Sequence, residues 1–133
     1  MKGLFKRKKK EKLEEIQPEK VEITDLEKIC ADDREAWTAL RHTMFLDPRK
    51  IQATLEDAVK KAADFEKKGN SGSARVWYHI AGGLALWKGD AAKVKQYFGK
   101  CEKLAPEINY GLIMRIPERA VKKAQEYYQK FLK

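Results

Sequence analysis

The stretch ARVWYHIAGGLALWKGDAAKVKQYFGKCEKLAP, residues 74–106, decides how the rest of the chain is read. Trp77, Ile80, Ala81 and Leu84 fall on one face of a helix, and Val94, Tyr97, Phe98, Cys101 and Leu104 fall on one face of a second. Between them KGD breaks the first helix and offers Asp90 as the cap of the next, while Pro106 ends the second. Two amphipathic helices joined by so short a turn must lie side by side, so the stretch is a helical hairpin.

Working outward, the same periodicity continues. LDPRKIQATLEDAVKKAADFEKKGN, residues 46–70, carries Ile51, Leu55, Ala58, Ala62 and Phe65 on one stripe. Asp47 is expected to cap a helix that begins at Pro48 and leaves at Gly69. NSGS is expected to be a turn in which Ser73 caps the following helix. Toward the N-terminus, Thr24 and Glu27 have capping-box spacing, and a helical stretch runs through AWTALRHTMFL, residues 36–46. After Pro106, a short segment leads to Pro117 and a last helix bearing Ala120, Val121, Ala124, Tyr128, Phe131 and Leu132. No period-two pattern persists, and the expected class is all-α, with antiparallel helical hairpins.

The opening stretch resembles a tetratricopeptide repeat, whose first helix carries W-x2-L-G-x2-Y and whose second carries A-x3-F before a closing Pro. Trp77, Ile80, Ala81 and Leu84, then Val94, Phe98, Cys101 and Pro106, stand in that order. The chain departs from the family in a turn one residue longer and in Ala81 where Gly is usual, with Gly82 and Gly83 following. That glycine pair implies a bent helix or a close neighbouring backbone. Trp37, Leu40 and Met44 repeat the spacing of Trp77, Ile80 and Leu84, and a shorter third copy uses Tyr110, Ile113, Val121 and Tyr128. The resemblance implies hairpins stacked as a short TPR-like right-handed array over residues 23–133.

In proteins of that kind the first helices line a groove that accepts an extended peptide or a helix. By position the groove residues implied here are Thr38, His42, Phe45, Arg75, Tyr78, His79, Gly82 and Arg115. The paired Lys and Asn with which the family clamps a terminal carboxylate are not found at these positions. The alternative for Tyr78 and Phe45 is plain packing against a neighbouring helix.

The formal net charge of the 133 residues is +9, with 43% apolar and 37% charged residues. Much of the basicity sits in MKGLFKRKKKEK, where Lys2, Lys6, Arg7, Lys8, Lys9, Lys10 and Lys12 face only Glu11. Residues 1–22 are therefore read as a basic tail with too few apolar residues to order itself. The tail's cations suit an anionic membrane surface, with Leu4 and Phe5 beside them, or the phosphates of a nucleic acid, or simple solvation.

Catalytic signals are weak. His42 and His79 lie on different expected helices with no carboxylate or Cys at ligand spacing, and Cys30 and Cys101 form no zinc or disulfide pattern. No phosphate-binding glycine loop or nucleophile elbow occurs, so no cofactor, metal or small-molecule substrate is expected. No apolar run is long enough to span a bilayer, and a reducing cytoplasm is the expected location, with the membrane periphery as an alternative through the tail. The expectation is a non-enzymatic adaptor that binds a protein or peptide segment in its groove. The alternative is a nucleic-acid-associated protein using the tail and the last helix, where Arg119, Lys122, Lys123, Lys130 and Lys133 outnumber Glu118 and Glu126.

Overall fold

The computed structural model describes residues 24–132, so the seven cations of the basic tail lie outside the described residues. Helices account for all the regular structure among those residues, as expected. They are α1 (Asp25–Ile29), α2 (Arg34–Leu40), a 3-10 turn (Pro48–Lys50), α3 (Leu55–Lys67), α4 (Ser71–Lys88), α5 (Ala91–Leu104), α6 (Gly111–Arg115) and α7 (Pro117–Phe131).

Most helix starts are set by a side chain that takes the free N–H three residues on. Thr24, Asp33, Thr54, Asn70 and Asp90 each do this, for Glu27, Ala36, Asp57, Ser73 and Lys93 respectively. Two expected starts move accordingly. Pro48 opens only a 3-10 turn, which Asp47 caps through the Arg49 N–H, and the chain is extended again at Ile51; Thr54 then starts α3. Asn70, and not Ser73, caps α4, so the expected turn is the helix's first turn. The helix expected across residues 36–46 stops at Leu40, and Thr43 donates its hydroxyl to the Ala39 carbonyl at 2.8 Å in the turn that follows. Gly89, at φ +76°, supplies the left-handed residue that ends α4.

Helix α4 is the centre of the fold. It packs along α3 on one side and α5 on the other, and it touches α7 as well. Residues Ala81 to Leu86 are all buried. Two aromatic rings, and not a neighbouring backbone, stand over Gly82 and Gly83: a Cβ on Gly82 would stand 2.6 Å from the Phe98 ring, and one on Gly83 would overlap the Phe45 ring. Phe98 is fully buried, so its ring has no room to retreat.

Helix α7 closes the molecule. It packs against α1, α2, α4 and α5, so among the described residues the last helix meets the first. Tyr128 is buried, stacks edge-on against Trp87 at 4.9 Å and donates its hydroxyl to the Phe45 carbonyl at 2.7 Å. Gln125 donates to the Leu86 and Trp87 carbonyls, satisfying the C-terminal turn of α4. On the outer side Arg119 pairs with Asp33 and Glu35, and Lys123 with Asp32 at 2.7 Å.

The glycine contacts give a paired expectation. Gly82→Ala gains about 1 kcal/mol of helix propensity but forces a buried ring aside at about 1–3 kcal/mol, and should lower the urea midpoint. Gly99→Ala in α5 meets only Met114 Cε at ordinary contact distance, 3.5 Å, and should raise it. Equal shifts in the two variants would show that ring packing against α4 is not what requires glycine.

Candidate functional site

A cleft of about 400 Å³ opens between the turn after α2, the first half of α4 and the loop before α6. His42 and Thr43 form one wall, Arg75 and His79 the floor, and Ile108, Asn109 and Tyr110 the other wall. Helical spacing places Arg75 and His79 one turn apart on the same face of α4.

The floor is held by a chain of contacts that begins at the glycine pair. Phe45 and Phe98, seated on Gly83 and Gly82, both meet the His79 ring edge-on, at 6.2 and 5.3 Å between centroids. Tyr110 stacks on Phe98 at 5.8 Å and brings its hydroxyl to 2.9 Å from His79 Nδ1. Arg75 Nη1 donates to the same hydroxyl at 3.0 Å. The Tyr110 hydroxyl thus bridges Arg75 and His79, and the tautomer of the imidazole sets which partner donates in the second bond. Burial, with the Arg75 charge adding to it, lowers the His79 pKa to about 4, so the ring is neutral near pH 7.

The surrounding groups fix Tyr110 and Arg75 from behind. Glu102 accepts the Tyr110 backbone N–H at 3.3 Å, and the Cys101 thiol donates to the Arg75 carbonyl at 3.5 Å. Burial pushes that thiol up to about 12, and Cys30, also buried, up to about 11, so neither is a thiolate at neutral pH. Asn109 accepts the Gly111 N–H through Oδ1, which leaves its amide NH2 free to point outward. Among the described residues Arg75 belongs to no ion pair.

Of the groove residues expected from the sequence, His42, Arg75 and His79 line this cleft, and Phe45 supports it from beneath. Gly82 is buried under Phe98 and presents nothing to a ligand. Tyr78 belongs to the opposite side of α4: it is 3% exposed, stacks with Tyr97, lies under Lys100 and donates to Glu66 at 2.9 Å. It is a packing residue, because the step from His79 to Tyr78 turns about 100° around the helix. Thr38 is exposed and donates to the Arg34 carbonyl, and Arg115 is exposed on α6; neither lines the cleft.

No protein-family model, curated protein or solved structure matches the chain.

Thr43, Ile108, Asn109 and Tyr110 were not legible as site residues. Tyr110 has helical spacing to Ile113, which marks it only as apolar packing, and the loop residues have no periodicity at all. A second depression, of about 480 Å³, is lined by Leu26, Trp37, Leu40, Met44, Leu46 and Tyr127 together with Thr24, Asp25 and Arg41. In the last helix, Arg119 and Lys123 are already paired with carboxylates, which leaves fewer free cations on α7 than its sequence suggests. No group of side chains arranged to hold a metal ion occurs among the described residues, and none of their helices is long and apolar enough to cross a membrane.

The state of His79 sets a pH dependence. The unfolded chain takes up a proton near 6.5 and the folded ring only near 4, so stability should fall as pH drops through that window and level off below it. The loss is on the order of 2–3 kcal/mol. Carboxylates held low by ion pairs, such as Asp32 and Asp33, act only below their ordinary value of 3.8, outside the window. His79→Gln should flatten the pH 4–6.5 segment of a denaturation series, and the His79 ring signals in NMR should titrate near pH 4; a midpoint near 6.5 would contradict the hydrogen-bonded neutral ring.

Proposed function

We propose that the chain is a non-enzymatic adaptor that seats a segment of a partner polypeptide in the cleft over Arg75 and His79. The observation that carries the reading is the arrangement of the cleft itself. A fixed guanidinium stands on the floor, an exposed Ile108 on one wall and an exposed His42 on the other. A site of this kind supplies an apolar contact, an aromatic floor and a polar anchor together, the combination that concentrates binding energy in few residues.

In this reading the α4–α5 hairpin is the TPR-like unit, and α4, as the first helix of such a unit, presents its groove face to the partner. The stacking of further hairpins on either side belongs to the same proposal. The basic tail then serves localisation, through its cations, in the cytoplasm or at the inner face of a membrane. A cleft without a nucleophile or an acid–base pair free to reach a substrate supports binding over turnover: His79 and Tyr110 are engaged with each other, and both cysteines are buried. The nucleic-acid alternative draws less support from α7, whose Arg119 and Lys123 are paired with carboxylates.

Selection of peptides from a displayed random library on the full chain tests this reading. Ile108→Asp changes a residue 39% exposed and should abolish capture without altering the melting temperature. Leu46→Asp, 52% exposed in the separate depression, should leave capture intact. The reverse pattern would move the binding surface to that depression.

A further inference from the structure

Resting on the reading of the cleft as a polypeptide seat, we infer that the residue anchoring the bound segment is an internal aspartate or glutamate, its carboxylate held by Arg75 and Asn109. Arg75 is half-buried in the cleft and gives one N–H to the Tyr110 hydroxyl, which fixes the plane of the guanidinium. Its remaining donors have no carboxylate partner among the described residues. A planar fork held in this way is pre-organised for a carboxylate, which can accept two parallel N–H bonds from it. Asn109, whose Oδ1 accepts the Gly111 N–H, lines the same cleft and has its amide NH2 to donate.

Arg75 is the one permanent cation in the cleft lining, which also includes the imidazole of His42. No lysine lines it, and His79 is kept neutral by its burial and by the Arg75 charge. Glu102, the acidic group behind the wall, faces the Tyr110 backbone N–H and not the cleft lining. A phosphate dianion would meet a single fixed cation and remain half neutralised, whereas a carboxylate is balanced.

The walls distinguish an internal residue from a chain end. His42, from the connection after α2, and Ile108, from the loop before α6, both line the cleft with Arg75, and both are exposed. A segment that continues past the carboxylate in both directions covers both walls. A chain terminus covers one and leaves the other wet.

The experiment is an NMR titration of the full, isotope-labelled chain, read at the Arg75 Nε–H, the Asn109 side-chain amide and the His79 ring. Four probes are used: acetyl-Gly-Leu-Glu-Leu-Gly-amide, the same peptide with Gln for Glu, that Gln peptide with a free terminal carboxylate, and inorganic phosphate. The Glu peptide should shift all three groups saturably and bind at least about tenfold tighter than the Gln peptide, the scale of a partly shielded charge-assisted pair. Arg75→Gln, which removes the guanidinium, should make the two peptides equal, and Arg75→Lys should keep part of the difference.

Equal binding of the Glu and Gln peptides at these residues would overturn the carboxylate anchor while leaving the cleft as a peptide seat. Binding of the free-terminus peptide or of phosphate as tightly as the Glu peptide would overturn the assignment to an internal acidic side chain. No shift at the cleft with any peptide would remove both this inference and the proposed function beneath it. Because the comparison of probes is made on the unmodified chain, it decides even if an Arg75 variant folds poorly.

Discussion

Two aromatic rings lie directly on the backbone of α4, and the rest of the structure depends on that contact. Phe98 from α5 occupies the space a side chain at residue 82 would fill, and Phe45, from the connection after α2, does the same at residue 83. Interior glycines weaken a helix by about 1 kcal/mol each, so the pair is a local cost that only close packing offsets. The return is that α5 and the α2 connection approach the central helix from two sides at one level. Both rings then share a third neighbour, His79, and through it the packing of the core reaches the cleft. The site is therefore not a loop feature laid on a finished fold. Its floor is the outer end of an aromatic cluster whose inner end is the glycine pair.

The closure by α7 adds a second constraint of a different kind. Inside, Tyr128 donates to the Phe45 carbonyl and Gln125 to the last carbonyls of α4, so the polar groups that packing would strand are satisfied. Outside, Asp33 both caps α2 and accepts from Arg119, and Asp32 accepts from Lys123, which tie the α1–α2 turn to α7. Exposed pairs of this sort contribute little stability one by one. Their effect here is geometric: they fix which end of α7 meets the α1–α2 turn. The Phe45 carbonyl bond links this closure to the cleft, since the same residue carries the ring beneath His79.

Local signals read well and their competition read less well. Asp90, Gly89 and Thr24 do in the structure what their positions suggest, because a cap involves only residues within one turn of each other. The start of α3 lies later than expected because Asp47 and Thr54 are both good caps seven residues apart. Asp47 caps only a 3-10 turn, since the chain is extended again at Ile51, which spacing alone does not reveal. At Asn70 and Ser73 two candidate caps again competed, and the earlier one takes the N–H of the later.

The amino-acid sequence by itself determined that this chain is helical, where the turn between α4 and α5 falls and which faces are apolar, since period and capping act over a few residues. It also placed Arg75 and His79 on one face of α4. Only the tertiary structure decided that Tyr110, 35 residues after Arg75 and 31 after His79, bonds to both, that Thr43 and Ile108 become facing walls, and that Tyr78 and Gly82 belong to the core. Those contacts join segments with no common periodicity. They follow from how deeply Phe45 and Phe98 settle onto two glycines, a fit of shapes that no local pattern encodes.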